Sequence, residues 1–107
     1  MHSLAKTIGF EYKSMLQKTY GNDLAELVLF GSYARGDNHE ESDLDFAVVF
    51  HNSSARPLKE IPRLSSLSSV LSLKYGIMIS SLPVTLEKKT NSMQGVFQEI
   101  RKEGVLI

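Results

Sequence analysis

Apolar residues Leu4, Ile8, Met15, Leu16 and Tyr20 recur at helical spacing, and Ser3 is placed to cap the first turn. The pattern predicts a helix from Leu4 to about Tyr20, stopped by Gly21-Asn22-Asp23. Leu27-Val28-Leu29-Phe30 is a short continuous apolar run closed by Gly31, as expected of a strand buried on both faces. Asp43 to Phe50 predicts a second strand, polar at its start and apolar afterwards. Gly31 to Ser42 lies between them, with room for one helical turn.

His51 to Arg56 predicts a loop. Leu58, Ile61, Leu64, Leu67 and Leu71 then form a helical stripe running to Tyr75, with Gly76 as the residue after its end. Pro62 fits only in a first turn, so this helix is expected to start near Ile61. Serines 65, 66, 68, 69 and 72 are expected on its solvated face. Ile77 to Val84 predicts a third strand. Met93, Val96, Phe97 and Ile100 predict a last helix, capped by Ser92 and stopped by Gly104, and Val105-Leu106-Ile107 suits a short edge strand. This order implies one α/β (α+β) domain over residues 1–107, with a small mixed sheet of three to four strands and helices packed on it.

The chemistry concentrates between Leu27 and Val49. Side chains alternate along a strand, so Asp43 and Asp45 share a face, with α-carbons roughly 6.5–7 Å apart. Carboxylates at that spacing can share divalent ions about 3.5–4 Å from one another. Hard carboxylate oxygens suit magnesium, which takes one or two from protein and completes its shell with phosphate and water. Without a cation, two adjacent aspartates at the start of an apolar strand would repel each other at a cost in stability. Gly31 lets the chain turn sharply and approach a ligand closely, and Ser32 adds a hydroxyl and the start of a helical turn. This pairing suits a triphosphate. Arg35 could meet phosphate too, or form an ion pair with Asp37, Glu40 or Glu41.

Composition narrows the role. Lysine plus arginine and aspartate plus glutamate each number 12, and this zero net charge argues against a protein whose main work is gripping nucleic acid. The absence of cysteine excludes disulfides and thiolate metal sites. His2, His39 and His51 lack metal-ligand spacing. No run approaches the roughly 20 apolar residues of a membrane span, and no signal peptide is evident, so a cytoplasmic location is expected.

Gly31-Ser32, ten residues, then Asp43-x-Asp45, set between two apolar strands, resembles the minimal nucleotidyltransferases of the DNA polymerase β-like superfamily. The resemblance implies the nucleotidyltransferase fold, with Gly31 and Ser32 holding the triphosphate and Asp43 and Asp45 ligating two magnesium ions. It implies attack of an acceptor hydroxyl on the α-phosphorus of ATP or another nucleoside triphosphate, releasing pyrophosphate. It also implies a HEPN-domain partner, since some members act as antitoxins by transferring AMP to such a protein. Small size makes a homodimer or hetero-oligomer an expected assembly.

The family pattern has a third carboxylate on a later strand. The matching strand here, Ile77 to Val84, contains no acid, and Ser80 is expected at the equivalent position. Glu87, Glu40 and Glu41 are candidates from outside the strand, and a partner protein is another source of the missing group. Two readings follow: an active nucleotidyltransferase, or a catalytically weak nucleotide-binding, antitoxin-like module. An antibiotic-modifying adenylyltransferase fits less well, because 107 residues leave little room for an acceptor-binding domain.

Overall fold

The structure is a computed structural model and describes residues 3–51 and 56–107. The expected loop from His51 to Arg56 therefore falls mostly outside the described residues, as does His2. Helix α1 (Ser3–Tyr20) leads through a 3-10 turn (Gly21–Asp23) into strand β1 (Leu24–Phe30). The short helix α2 (Ser32–Arg35) and strand β2 (Leu44–Phe50) follow. A 3-10 turn (Pro57–Glu60) precedes α3 (Ile61–Tyr75), and β3 (Ile79–Thr85), α4 (Leu86–Asn91), α5 (Gly95–Glu103) and β4 (Val105–Leu106) complete the order.

The four strands form one mixed sheet in the order β3-β2-β1-β4. β1 pairs antiparallel with both β2 and β4, whereas β2 and β3 run parallel, joined by the crossover through α3. β2 is central, and this explains its apolar run: Leu44, Phe46, Val48 and Phe50 enter one core while Ala47 and Val49 enter the other. The first core lies under α1 and α3, with Ile8, Tyr12, Leu16, Leu64 and Leu71 buried against the sheet. The second lies under α5, where Phe97 and Ile100 pack on Val28, Ala47 and Val49. The domain is thus a sheet between two helical layers, the mixed α/β arrangement read from the sequence.

Several boundaries differ from the sequence reading for identifiable reasons. β1 starts at Leu24, three residues before the expected run; Glu26 interrupts the apolar pattern there, and the ladder shifts register between Leu24 and Glu26. Asp43 sits one residue before β2, which begins at Leu44. β3 runs from Ile79 to Thr85, two residues later at its start than expected. Ser68 is buried and bonds Ser65 O, and Ser72 Oγ accepts from Ile79 N, so two of the five serines expected on the solvated face turn inward. Leu58 falls in the 3-10 turn and is 74% exposed. Ser92 ends α4 where it was expected to cap the last helix; Gln94 occupies that cap position, and Met93 lies outside the helix and exposed. Among the described residues, no helix is long and apolar enough to cross a membrane.

Candidate functional site

The site grows out of the junction between β1 and β2. Phe30, the last residue of β1, pairs with Asp45 across the antiparallel ladder. The next residue, Gly31, therefore meets the Asp45 side chain directly. Its backbone takes φ 77° and ψ −157°, a conformation reserved in practice for glycine. A β-carbon there would collide with Asp45 Oδ2. The strand end and the acidic side chain are thus packed without space for any larger residue.

From Gly31 the chain winds into α2, with Arg35 N donating to Gly31 O at 3.1 Å and Gly36 N to Ser32 O at 2.9 Å. Buried Tyr33 anchors this turn to the core. The loop back to β2 is closed by His39 and Ser42: His39 N donates to Ser42 Oγ at 2.9 Å, and Ser42 N to His39 O at 3.0 Å. That small turn delivers Asp43, which is exposed, immediately before buried Leu44. Leu44 N then donates to Met78 O at 2.9 Å, fixing the start of β2 against the segment entering β3.

Asp45 is half-buried, on the α5 side of the sheet. Its carboxyl is pushed above the usual aspartate range, first by burial, then by the negative charges of Asp43 and Glu99, with Arg35 partly offsetting them. Among the described residues, neither Asp43 nor Asp45 lies within ion-pair distance of a basic side chain. Two hard carboxylates held as electrostatic neighbours and opposite a glycine cradle fit a magnesium ion, which would offset both the burial of the Asp45 charge and its repulsion by Asp43. Among the described residues, no group of three or more histidines and acids is arranged to hold a metal. A cation here would therefore complete its shell with oxygens from substrate and water.

Arg35 is engaged more widely than expected. Its guanidinium meets Asp37 at 3.1 Å, one of the local acids considered as partners, but also Glu99 at 2.6 Å and Glu103 at 3.5 Å on α5. Glu40 and Glu41 are exposed in the loop and take no part in these pairs. Glu99 and Glu103 were missed by sequence reasoning. Their four-residue spacing signals only an acidic helix face; its meeting with α2 is a tertiary fact.

The parallel ladder places Ser80 directly beside Asp45. Ser81 Oγ bonds Tyr12 OH on the α1 side, so the neighbouring Ser80 faces the same side as Asp45. The strand position adjacent to the acidic pair thus carries an exposed hydroxyl and no carboxylate. Glu87 lies beyond β3, on α4.

Comparison with known proteins bears on the family and the fold. The nucleotidyltransferase domain family matches residues 11–104. A relative from Methanocaldococcus jannaschii, described as a candidate protein adenylyltransferase (MJ0141), is 39% identical over 95 residues, spanning 89% of this chain and 90% of its own. The protein adenylyltransferase MntA of Thermococcus cleftensis is 30% identical over 96 residues, spanning 90% of this chain and 85% of its own. Among solved structures, a candidate nucleotidyltransferase from Sulfolobus solfataricus shares the fold with a TM-score of 0.62 at 19% identity, covering 99% of this chain and 87% of that one. A toxin–antitoxin crystallised with AMP-PNP shares it with a TM-score of 0.58 at 24% identity, covering 90% and 69%. With the family match extending from α1 to the end of α5 and enclosing the whole β1–β2 junction, the chain belongs to the nucleotidyltransferase domain family.

Proposed function

We propose that residues 1–107 act as one magnesium-dependent nucleotidyltransferase domain that moves AMP from ATP to a hydroxyl on a partner polypeptide. The observation that carries this reading is the packing of Gly31 against Asp45, which sets a tight backbone turn beside an acidic pair. In this reading Gly31 and Ser32 receive the β- and γ-phosphates, and Arg35 would meet them only by leaving its pairs with Asp37, Glu99 and Glu103. Asp43 and Asp45 hold magnesium. The metal, when bound, would neutralise charge on the phosphoryl oxygens. The acceptor hydroxyl oxygen bonds the α-phosphorus while the bond to the bridging oxygen breaks. Pyrophosphate leaves with the bonding electrons. The hydroxyl proton passes to water, because Ser80 is no base near neutral pH.

The names of the relatives favour a protein acceptor and AMP as the transferred group. A HEPN-domain protein encoded beside this chain is the proposed acceptor, and the pair would form a cytoplasmic hetero-oligomer. The test is incubation of both proteins with α-labelled ATP and magnesium. Label on the partner supports the reading, and no transfer with any nucleotide rejects it. Magnesium ATP at a hundred times its Kd is expected to add about 2.7 kcal/mol of stability. That raises the melting temperature by on the order of 10 °C for a chain of this size. An unchanged melting curve at millimolar nucleotide would remove triphosphate binding.

The pairing of Asp45 with Ser80 favours a second reading, a catalytically weak module that binds nucleotide and neutralises its partner by complexation. Ser80→Asp separates the two. A carboxylate there lies on the Asp45 face and can take the hydroxyl proton, so transfer is expected to rise about 100-fold. A folded Ser80→Asp protein with an unchanged rate would show that the missing acid is not the limit.

A further inference from the structure

A groove of about 510 Å³ runs beside β3, away from the acidic pair. Its floor is Leu82 and Val84, and it is walled by Phe97 of α5 and by Leu58 of the 3-10 turn. Strand alternation puts Ser80, Leu82 and Val84 on one face, so the floor continues the surface that carries Asp45 and Ser80. Leu82 lies roughly 7 Å from Ser80 along the strand. Exposed Lys59 and Lys88 also line the groove, the latter with its ammonium 5.9 Å from the Phe97 ring centre.

We infer that this groove docks the acceptor polypeptide, through a segment in which a large apolar side chain is flanked by acidic residues. The apolar floor takes the large side chain, and the two lysines select negative charge beside it. Continuity with the Ser80 face delivers a hydroxyl a few residues away to the acidic pair. Pro83 has no N–H to donate and sits in this edge strand, so an added strand would lack a ladder bond; the segment is held by side chains instead. The inference rests on the proposed transfer to a polypeptide and names what that polypeptide presents.

Fluorescence anisotropy with a labelled glutamate–tyrosine random copolymer tests it, with a lysine–tyrosine copolymer as the control. The acidic copolymer is expected to bind and the basic one not. The Leu58→Asp, Lys88→Glu double variant changes two exposed side chains outside the acidic site. It should weaken acidic-copolymer binding about tenfold or more, a loss of about 1.4 kcal/mol. Magnesium ATP affinity, read in parallel by calorimetry, should not move. Equal binding of both copolymers, no binding of either, or full binding by the variant overturns the inference. So does a concentration-dependent dimer that Leu58→Asp disperses, which would assign the groove to a second copy. Absence of magnesium ATP binding, in contrast, strikes at the nucleotidyltransferase reading while the anisotropy result stands.

Discussion

Alanine at position 31 is expected to lower AMP transfer by about 100-fold or more and to destabilise the fold. The loss in stability has two sources. Holding a residue with a β-carbon at φ 77° and ψ −157°, a region essentially closed to other residues, costs about 1–3 kcal/mol. The added methyl also drives into Asp45 Oδ2, so either the β1–β2 junction opens or the aspartate moves. Displacement by an ångström at a reacting centre is enough for a rate loss of about 100-fold. Gly21→Ala is the control: Gly21 also has positive φ, 54°, but a β-carbon there meets nothing within 4 Å. It should lose some conformational stability and keep its transfer rate. Melting temperature and labelled-ATP turnover on both variants check this. Equal activity loss in the two would show that backbone strain, not the contact with Asp45, matters at position 31.

Asp45→Asn is expected to reduce transfer by about 1000-fold while leaving the metal-free protein as stable as the wild type, or more so. Burial and the charges of Asp43 and Glu99 raise the Asp45 pKa in the folded state. The folded protein therefore binds that proton more tightly than the unfolded chain does. The resulting stability is complete below the ordinary aspartate pKa and is lost as pH rises through the raised value. At neutral pH the metal-free fold carries the penalty, and asparagine relieves it. Urea unfolding of both proteins in chelator across an acidic-to-neutral series should show the wild type falling relative to Asp45→Asn, then running parallel to it. Magnesium should raise the wild-type curve and leave the variant's in place. A variant less stable than wild type at neutral pH, with no magnesium effect on either, would remove the metal from this site.

The secondary structure that carries the site was legible in the sequence because it is local. Gly31, Ser32, Asp43 and Asp45 lie at the ends of two apolar runs, and pairing those runs brings the first residue to the last. The position of Ser80 came from the resemblance, whose pattern places a carboxylate on the later strand that Ile77–Val84 matches here. The fate of Arg35 was not legible: its strongest contact, with Glu99, joins residues 64 positions apart, and no spacing rule connects α2 to α5. Helix α4 was missed because its six residues carry one apolar side chain at the start and no repeat. Its one local signal, the Thr85 hydroxyl accepting from Lys88 N, resembles any threonine turn until the chain is seen to continue. Met93 misled the reading of the last helix by extending its apolar stripe into a segment that the cap at Gln94 leaves outside.

The route of the chain has a consequence for what can vary. Gly31, Ser32, Asp43 and Asp45 all belong to one continuous hairpin, β1 through β2, closed by its own small turn at His39 and Ser42. Position 80 arrives separately, after the whole of α3, on a strand that touches the hairpin along only one border. Exchanging the residue there disturbs no bond within the hairpin, so the proposed metal-holding pair and the proposed proton acceptor can be gained or lost independently.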